Sequence, residues 1–110
     1  MNFVDTPHLV DAHLHADEPV LIFKHSTQCP ISAYAKHEVE EFLTQTNAPN
    51  IAVNVIEQRA VSNYIQERTG VVHQSPQAII VHGTTVLWSA SHKTITTHSL
   101  QEAWNSAKNS

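Results

Sequence analysis

Cys29 is the only cysteine among the 110 residues, and it lies in the run Lys24-His25-Ser26-Thr27-Gln28-Cys29-Pro30-Ile31-Ser32. The apolar segment Pro19-Val20-Leu21-Ile22-Phe23 precedes that run, and a stretch with helical periodicity follows it. A strand that delivers one thiol to the first turn of a helix makes a reactive-cysteine arrangement. The unsatisfied backbone N–H groups and the positive end of the helix dipole favour the thiolate, which is the nucleophilic form. Pro30 suits the first helical position, because its missing donor would be unsatisfied there in any case. Ser32 stands where a dithiol Cys-x-x-Cys motif carries its resolving sulfur. The chain therefore cannot close its own disulfide, and a second thiol must come from elsewhere. Ser32 can offer a hydrogen bond to the thiolate without forming a disulfide; the same residue reads equally as an ordinary first-turn serine.

Other polar groups flank this run. Lys24 and His25 precede the active loop, and a cation within about 4–6 Å of a thiol stabilises its charged form. Arg59 opens a later helix and reads more readily as a solvated helix-start residue. The nine histidines invite a metal reading, but their spacing argues against one. His13 and His15 are two apart, which points them in different directions on a helix. His8, His37, His82, His92 and His98 are scattered, and no second cysteine joins them. No metal site is expected, and most of the histidines read as surface residues.

These groups must be positioned by the elements around them. Thr6-Pro7 reads as an N-cap and first helical residue, opening a short helix over 7–16. Residues 19–24 are apolar on consecutive positions, as in a strand covered on both faces. From Pro30 to Thr46 the apolar positions Ile31, Ala35, Val39, Phe42 and Leu43 form one helical stripe. Asn47-Ala48-Pro49-Asn50 ends that helix, and 51–56 is a second strand. A strand–helix–strand link implies a right-handed parallel crossover. A helix over 60–69 stops at Gly70. Strands over 77–82 and 85–89 are joined by Gly83-Thr84, as a type II′ hairpin wants. Ser99-Leu100-Gln101-Glu102 reads as a capping box opening a last helix.

The order α-β-α-β-α-β-β-α is the thioredoxin arrangement: a four-stranded mixed sheet flanked by helices, in a single α/β domain over 1–110. In that arrangement the loop before the third core strand packs against the reactive cysteine. Here it reads Val72-His73-Gln74-Ser75-Pro76-Gln77, and Ser75–Pro76 is expected to be cis. The residue before such a proline keeps free backbone groups to pair with an extended thiol ligand. Pro76 itself has no N–H to compete.

Composition narrows the function classes. Six Lys plus Arg against ten Asp plus Glu give a net charge of −4, with no basic run, so nucleic acid is not an expected partner. No apolar stretch approaches the roughly 20 residues that span a bilayer. Met1-Asn2-Phe3-Val4-Asp5 has none of the features of a signal peptide, and a single cysteine fits a reducing, cytoplasmic setting.

The run Lys24-His25-Ser26-Thr27-Gln28-Cys29-Pro30-Ile31-Ser32-Ala33 resembles the K-H-S-x-x-C-P-I-S-A signature of the YtxJ family, the monothiol bacilliredoxins of bacillithiol-using bacteria. Val61-Ser62-Asn63-Tyr64-Ile65, Thr69-Gly70-Val71 with His73, and Ser75-Pro76-Gln77-Ala78 agree in order. The likeness runs from about Phe23 to Trp88, and more loosely to the last helix. It implies a thioredoxin fold and thiol–disulfide exchange with bacillithiol mixed disulfides on proteins. The match carries over Cys29 as nucleophile and Pro76 as the cis-proline. Around the thiol, Lys24, Thr27, Pro30, Ser32, Ser75 and Pro76 are the candidates to stabilise the thiolate or bind the thiol. Bacillithiol would be a co-substrate, with no tightly bound cofactor. Bacillithiolated client proteins and a dithiol reductant would be the partners. Bacillithiol carries carboxylates, which Lys24 and Arg59 are candidates to meet.

Three other readings use the same residues. A monothiol glutaredoxin-like iron–sulfur carrier pairs Cys-x-x-Ser with an external thiol, but has glycine where this chain has Pro30. A thioredoxin-like adaptor would keep the fold without turnover. A glutathione-linked transferase would run the same chemistry on another thiol.

Overall fold

The structure, a computed structural model, describes residues 1–109. Its elements are α1 (Pro7–Leu14), β1 (Pro19–His25), α2 (Pro30–Gln45), β2 (Asn50–Asn54), α3 (Arg59–Thr69), β3 (Gln77–His82), β4 (Thr85–Ser91), a 3-10 turn (His92–Thr94) and α4 (Thr97–Lys108). The strands form one sheet in the order β2-β1-β3-β4. β1 and β2 run parallel, with Leu21 opposite Asn50 and Lys24 opposite Val53. β3 is antiparallel to β1, with Lys24 opposite Gln77, and β4 is antiparallel to β3. The mixed sheet flanked by helices is the one the element order implies.

Strand alternation divides the core into two layers. Leu21 and Phe23 of β1 face α2 and α4, packing with Ala35, Val39, Phe42, Leu100 and Trp104. Val20 and Ile22 face the other side, with Val10 and Leu14 of α1 and Val61 and Ile65 of α3. The same alternation continues past the apolar run. Lys24 follows Ile22 onto the α1/α3 side, and His25 follows Phe23 onto the α2/α4 side.

Local signals set the ends of the elements. The Thr6 side chain accepts from Leu9 N (3.3 Å), capping α1 ahead of Pro7. Gly70 closes α3 in the left-handed region at φ 75°, its N–H bonded to Gln66 O. Gly83 turns the β3–β4 hairpin at φ 65°, while Thr84 has no positive φ, in keeping with a type II′ turn.

Besides shifts of one or two residues at the ends of several elements, α1, β2, α3 and β4 among them, two features differ from the sequence expectation. The last helix begins at Thr97, with Thr96 as its N-cap, and Ser99 serves as the third residue of the capping box rather than the first. Thr96 Oγ1 accepts from Ser99 N, and Ser99 Oγ is bonded to Thr96 N, both at 3.0 Å. Glu102 instead pairs with His98 one turn back. In addition, residues 2–4 cover the outer edge of β2: Ala52 N donates to Asn2 O (2.7 Å), and Val4 N donates to Ala52 O (2.9 Å).

Candidate active site

Cys29 is the N-cap residue of α2, with extended backbone (φ −118°, ψ 119°) and no side-chain capping bond. Its carbonyl accepts from Ser32 N (3.0 Å) and Ala33 N (3.1 Å), closing the first turn behind Pro30. The thiol is half-buried, and Thr27, Gln28 and Pro30 around it are exposed. Among the described residues Sγ has no hydrogen-bond partner. The strand–cysteine–helix junction thus leaves the sulfur reachable at the positive end of a 16-residue helix.

Ser32 makes no hydrogen bond to the Cys29 sulfur, unlike the expectation. It is fully buried, accepts from Ser26 N (2.8 Å), and is bonded to His25 Nδ1 at 2.7 Å. The hydroxyl is committed to the loop and to His25, not to the sulfur, because the first turn of α2 directs it inward onto the end of β1. His25 is itself buried, stacked on Phe23 with ring centroids 5.8 Å apart and edged by Phe3 at 6.4 Å. Burial lowers its pKa, with the Lys36 charge acting the same way. His25 is therefore a neutral structural ring that fixes the active loop through Ser32. Sequence reasoning treated it as a loop cation; counting by twos from Phe23 would have placed it in the core.

Lys24 also departs from its expected place. Its side chain is fully buried on the α3 side of the sheet, where Nζ donates to Ser62 O (3.0 Å) and contacts His73 Nδ1 at 3.2 Å. It makes no bond to Cys29, because strand alternation sends it to the face opposite α2. Desolvation lowers its pKa from 10.5 to about 8. His73 comes from the loop before β3, and its pKa is lowered by burial and then by the Lys24 and Arg59 charges. Its backbone N–H donates to Gln66 Oε1 (2.6 Å), tying the loop to α3. Arg59, exposed at the first residue of α3, has no ion-pair partner among the described residues.

The proline loop stands at the same end of the sheet as Cys29. The Lys24–Gln77 pairing puts Pro76 level with the end of β1, where the cysteine loop departs. Ser75–Pro76 is cis, as expected. Pro76 O accepts from His92 N (3.1 Å), and Gln77 Nε2 donates to Val72 O (3.0 Å), holding the loop on both sides. Ser75 Oγ is shielded from solvent and has no hydrogen-bond partner among the described residues. Beside α2 an apolar hollow of about 300 Å³ is lined by Pro30, Ile31, Tyr34 and Lys93, the last from the 3-10 turn that follows β4. The structure thus gathers Cys29, Thr27 and Pro30 with Ser75 and Pro76 at one end of the sheet. Ser32 lies beneath them, and Lys24 lies behind the sheet.

The family described as monothiol bacilliredoxin BrxC matches residues 6–100. Among solved structures, one described as a candidate oxidoreductase with a thioredoxin fold is 29% identical, with a TM-score of 0.86 over 93% of this chain and 91% of that one. Fasciola hepatica thioredoxin superposes with a TM-score of 0.80 at 12% identity, covering 98% of this chain and 100% of that one. A mutant thioredoxin from Halobacterium salinarum gives 0.78 at 16% identity, covering 97% and 89%. The last two likenesses concern the fold. With one cysteine at the head of α2 and a match along nearly its whole length, this chain belongs to the monothiol bacilliredoxin family and is a thiol–disulfide oxidoreductase of the thioredoxin fold.

Proposed function

We propose that the protein removes bacillithiol from mixed disulfides on client proteins, with Cys29 as the nucleophile. The observation that carries this reading is the single thiol at the head of α2, at the same end of the sheet as a cis-proline loop with an unengaged Ser75 hydroxyl, in a chain with no second thiol. The Cys29 thiolate attacks the bacillithiol sulfur of the client disulfide. The Cys29–bacillithiol bond forms as the client bond breaks, and the client sulfur leaves as a thiolate that takes up a proton. A second thiol, from bacillithiol or from a dithiol reductant, then attacks the Cys29 mixed disulfide and returns the free thiol. Thr27, Pro30, Ser75 and Pro76 border the path of the incoming disulfide. His25 and Ser32 keep the loop in shape without touching the sulfur.

Intact mass spectrometry tests the choice of thiol. After incubation with oxidised bacillithiol or, separately, oxidised glutathione, the protein is expected to gain one bacillithiol per chain, faster than one glutathione. A preference for glutathione would move the reading to a glutathione-linked transferase. No adduct with either would favour the adaptor reading.

A further inference from the structure

Lys24 is an ammonium buried behind the sheet, with no carboxylate in ion-pair reach among the described residues. A charge buried in that way weakens the fold, and an apolar side chain of similar length would not. What the ammonium alone supplies at this position is a set of directed N–H donors. One reaches Ser62 O at 3.0 Å and another reaches His73 Nδ1 at 3.2 Å. An ammonium cannot accept, so Nδ1 is the acceptor and the ring carries its proton on Nε2. Ser62 Oγ lies 3.2 Å from the same Nδ1, so strand β1, helix α3 and the loop before β3 meet at one polar point. Gln77 stands opposite Lys24 in the β1–β3 register and is buried too. Its Nε2 donates to Val72 O (3.0 Å), closing the base of the same loop.

Both anchors sit at the roots of the segment that carries Ser75 and Pro76. His73 is three residues before Pro76, and Lys24 is the penultimate residue of β1, where the chain turns off towards Cys29. We propose that Lys24 is a positioning residue for disulfide exchange: through His73 it fixes the Ser75–Pro76 loop against the end of β1, so that the loop backbone presents an incoming disulfide to Cys29. Sequence reasoning assigned Lys24 to the thiolate; from the far side of the sheet it acts on the other half of the site instead. Lys24 touches neither the sulfur nor the substrate. This role asks only for disulfide exchange, whichever small thiol is carried, so it and the de-bacillithiolation reading fail separately.

Two reactions of Cys29 separate the loop from the thiolate. Iodoacetamide alkylates the thiolate with loss of iodide and needs no loop. With 2-hydroxyethyl disulfide the thiolate attacks one sulfur, a Cys29 mixed disulfide forms, and 2-mercaptoethanol leaves as its thiolate. Intact mass against time gives both second-order rates on the full chain at one pH. Lys24→Met and His73→Ala are each expected to slow the disulfide reaction about tenfold or more, as misplacing a substrate-orienting group does, and to leave alkylation within about twofold. The double variant should be no slower than either single one, because both remove the same contact. His73→Asn keeps an acceptor for the ammonium and should keep most of the wild-type rate. His73 is exposed, so its variants carry the test even if Lys24→Met does not fold. A parallel fall in alkylation would put Lys24 back on the thiolate. An unchanged disulfide rate, or losses that multiply in the double variant, would show that no such anchor operates. Each of those results overturns the proposal.

Discussion

Cys29 and Ser32 lie three residues apart, yet they do different work. The sulfur is half-buried with no hydrogen-bond partner among the described residues, whereas the hydroxyl is turned to His25 and Ser26 N. Ser32→Ala would leave a partly buried backbone N–H and a buried imidazole short of a partner. It is therefore expected to lower unfolding free energy by about 2 kcal/mol in urea titration, while the first transfer step keeps most of its rate. His25 resists protonation, so the unfolded chain binds its proton more readily. Stability should consequently fall as pH drops through 6.5 and below, a loss that thermal melts across that range would record. Lys24 acts in a higher window. Its folded pKa of about 8 lies below the unfolded 10.5, so the ammonium burdens the folded state at neutral pH. Relief begins above pH 8 and would reach about 3 kcal/mol above 10.5. Denaturation between about pH 8 and 10 should show the wild type gaining stability and Lys24→Met showing no such gain. The upper limit keeps clear of Tyr64, whose bond to Asp11 raises its own pKa. The place of Cys29 at the head of α2 was legible because a strand followed by Cys-Pro and helical periodicity leaves little choice of geometry. The directions of Lys24, His25 and Ser32 were not read, because a strand buried on both faces hides its alternation in composition. Only the register from Phe23 reveals it.

At the scale of elements, every helix and strand of the sheet was legible, since each is bounded by a proline, a glycine or a capping residue. The boundaries moved where two signals competed. Ser99-x-x-Glu102 and Thr96-x-x-Ser99 both satisfy a capping pattern; the second prevails because Thr97 Oγ1 and N also reach Glu38 of α2. Thr96→Ala should therefore cost about 1 kcal/mol, and Glu102→Ala close to nothing, as measured by urea midpoint. Gly70 offers a second check. A Cβ there would meet nothing within 4 Å, so any cost of Gly70→Ala comes from the left-handed backbone alone. About 1 kcal/mol is expected. The strand-like contact of residues 2–4 with β2 went unread, because three or four residues carry no periodicity of their own.

For the whole molecule, the arrangement places a single sulfur and a proline loop at one end of a sheet whose two faces are filled by four helices. No helix is long and apolar enough to cross a membrane among the described residues. The chain has no second thiol, so regeneration of Cys29 calls for an external one. Serine in place of Cys29 is a far weaker nucleophile at neutral pH, and no other side chain can take its place. The direct measurement is to present a bacillithiolated client protein to the enzyme and follow the cap on the client by intact mass. Wild type should strip the cap while a Cys29–bacillithiol adduct accumulates on the enzyme, and Cys29→Ser should strip none. A cap that stays in place with wild type, or leaves equally fast with Cys29→Ser, would contradict the assignment of Cys29 as the nucleophile in de-bacillithiolation.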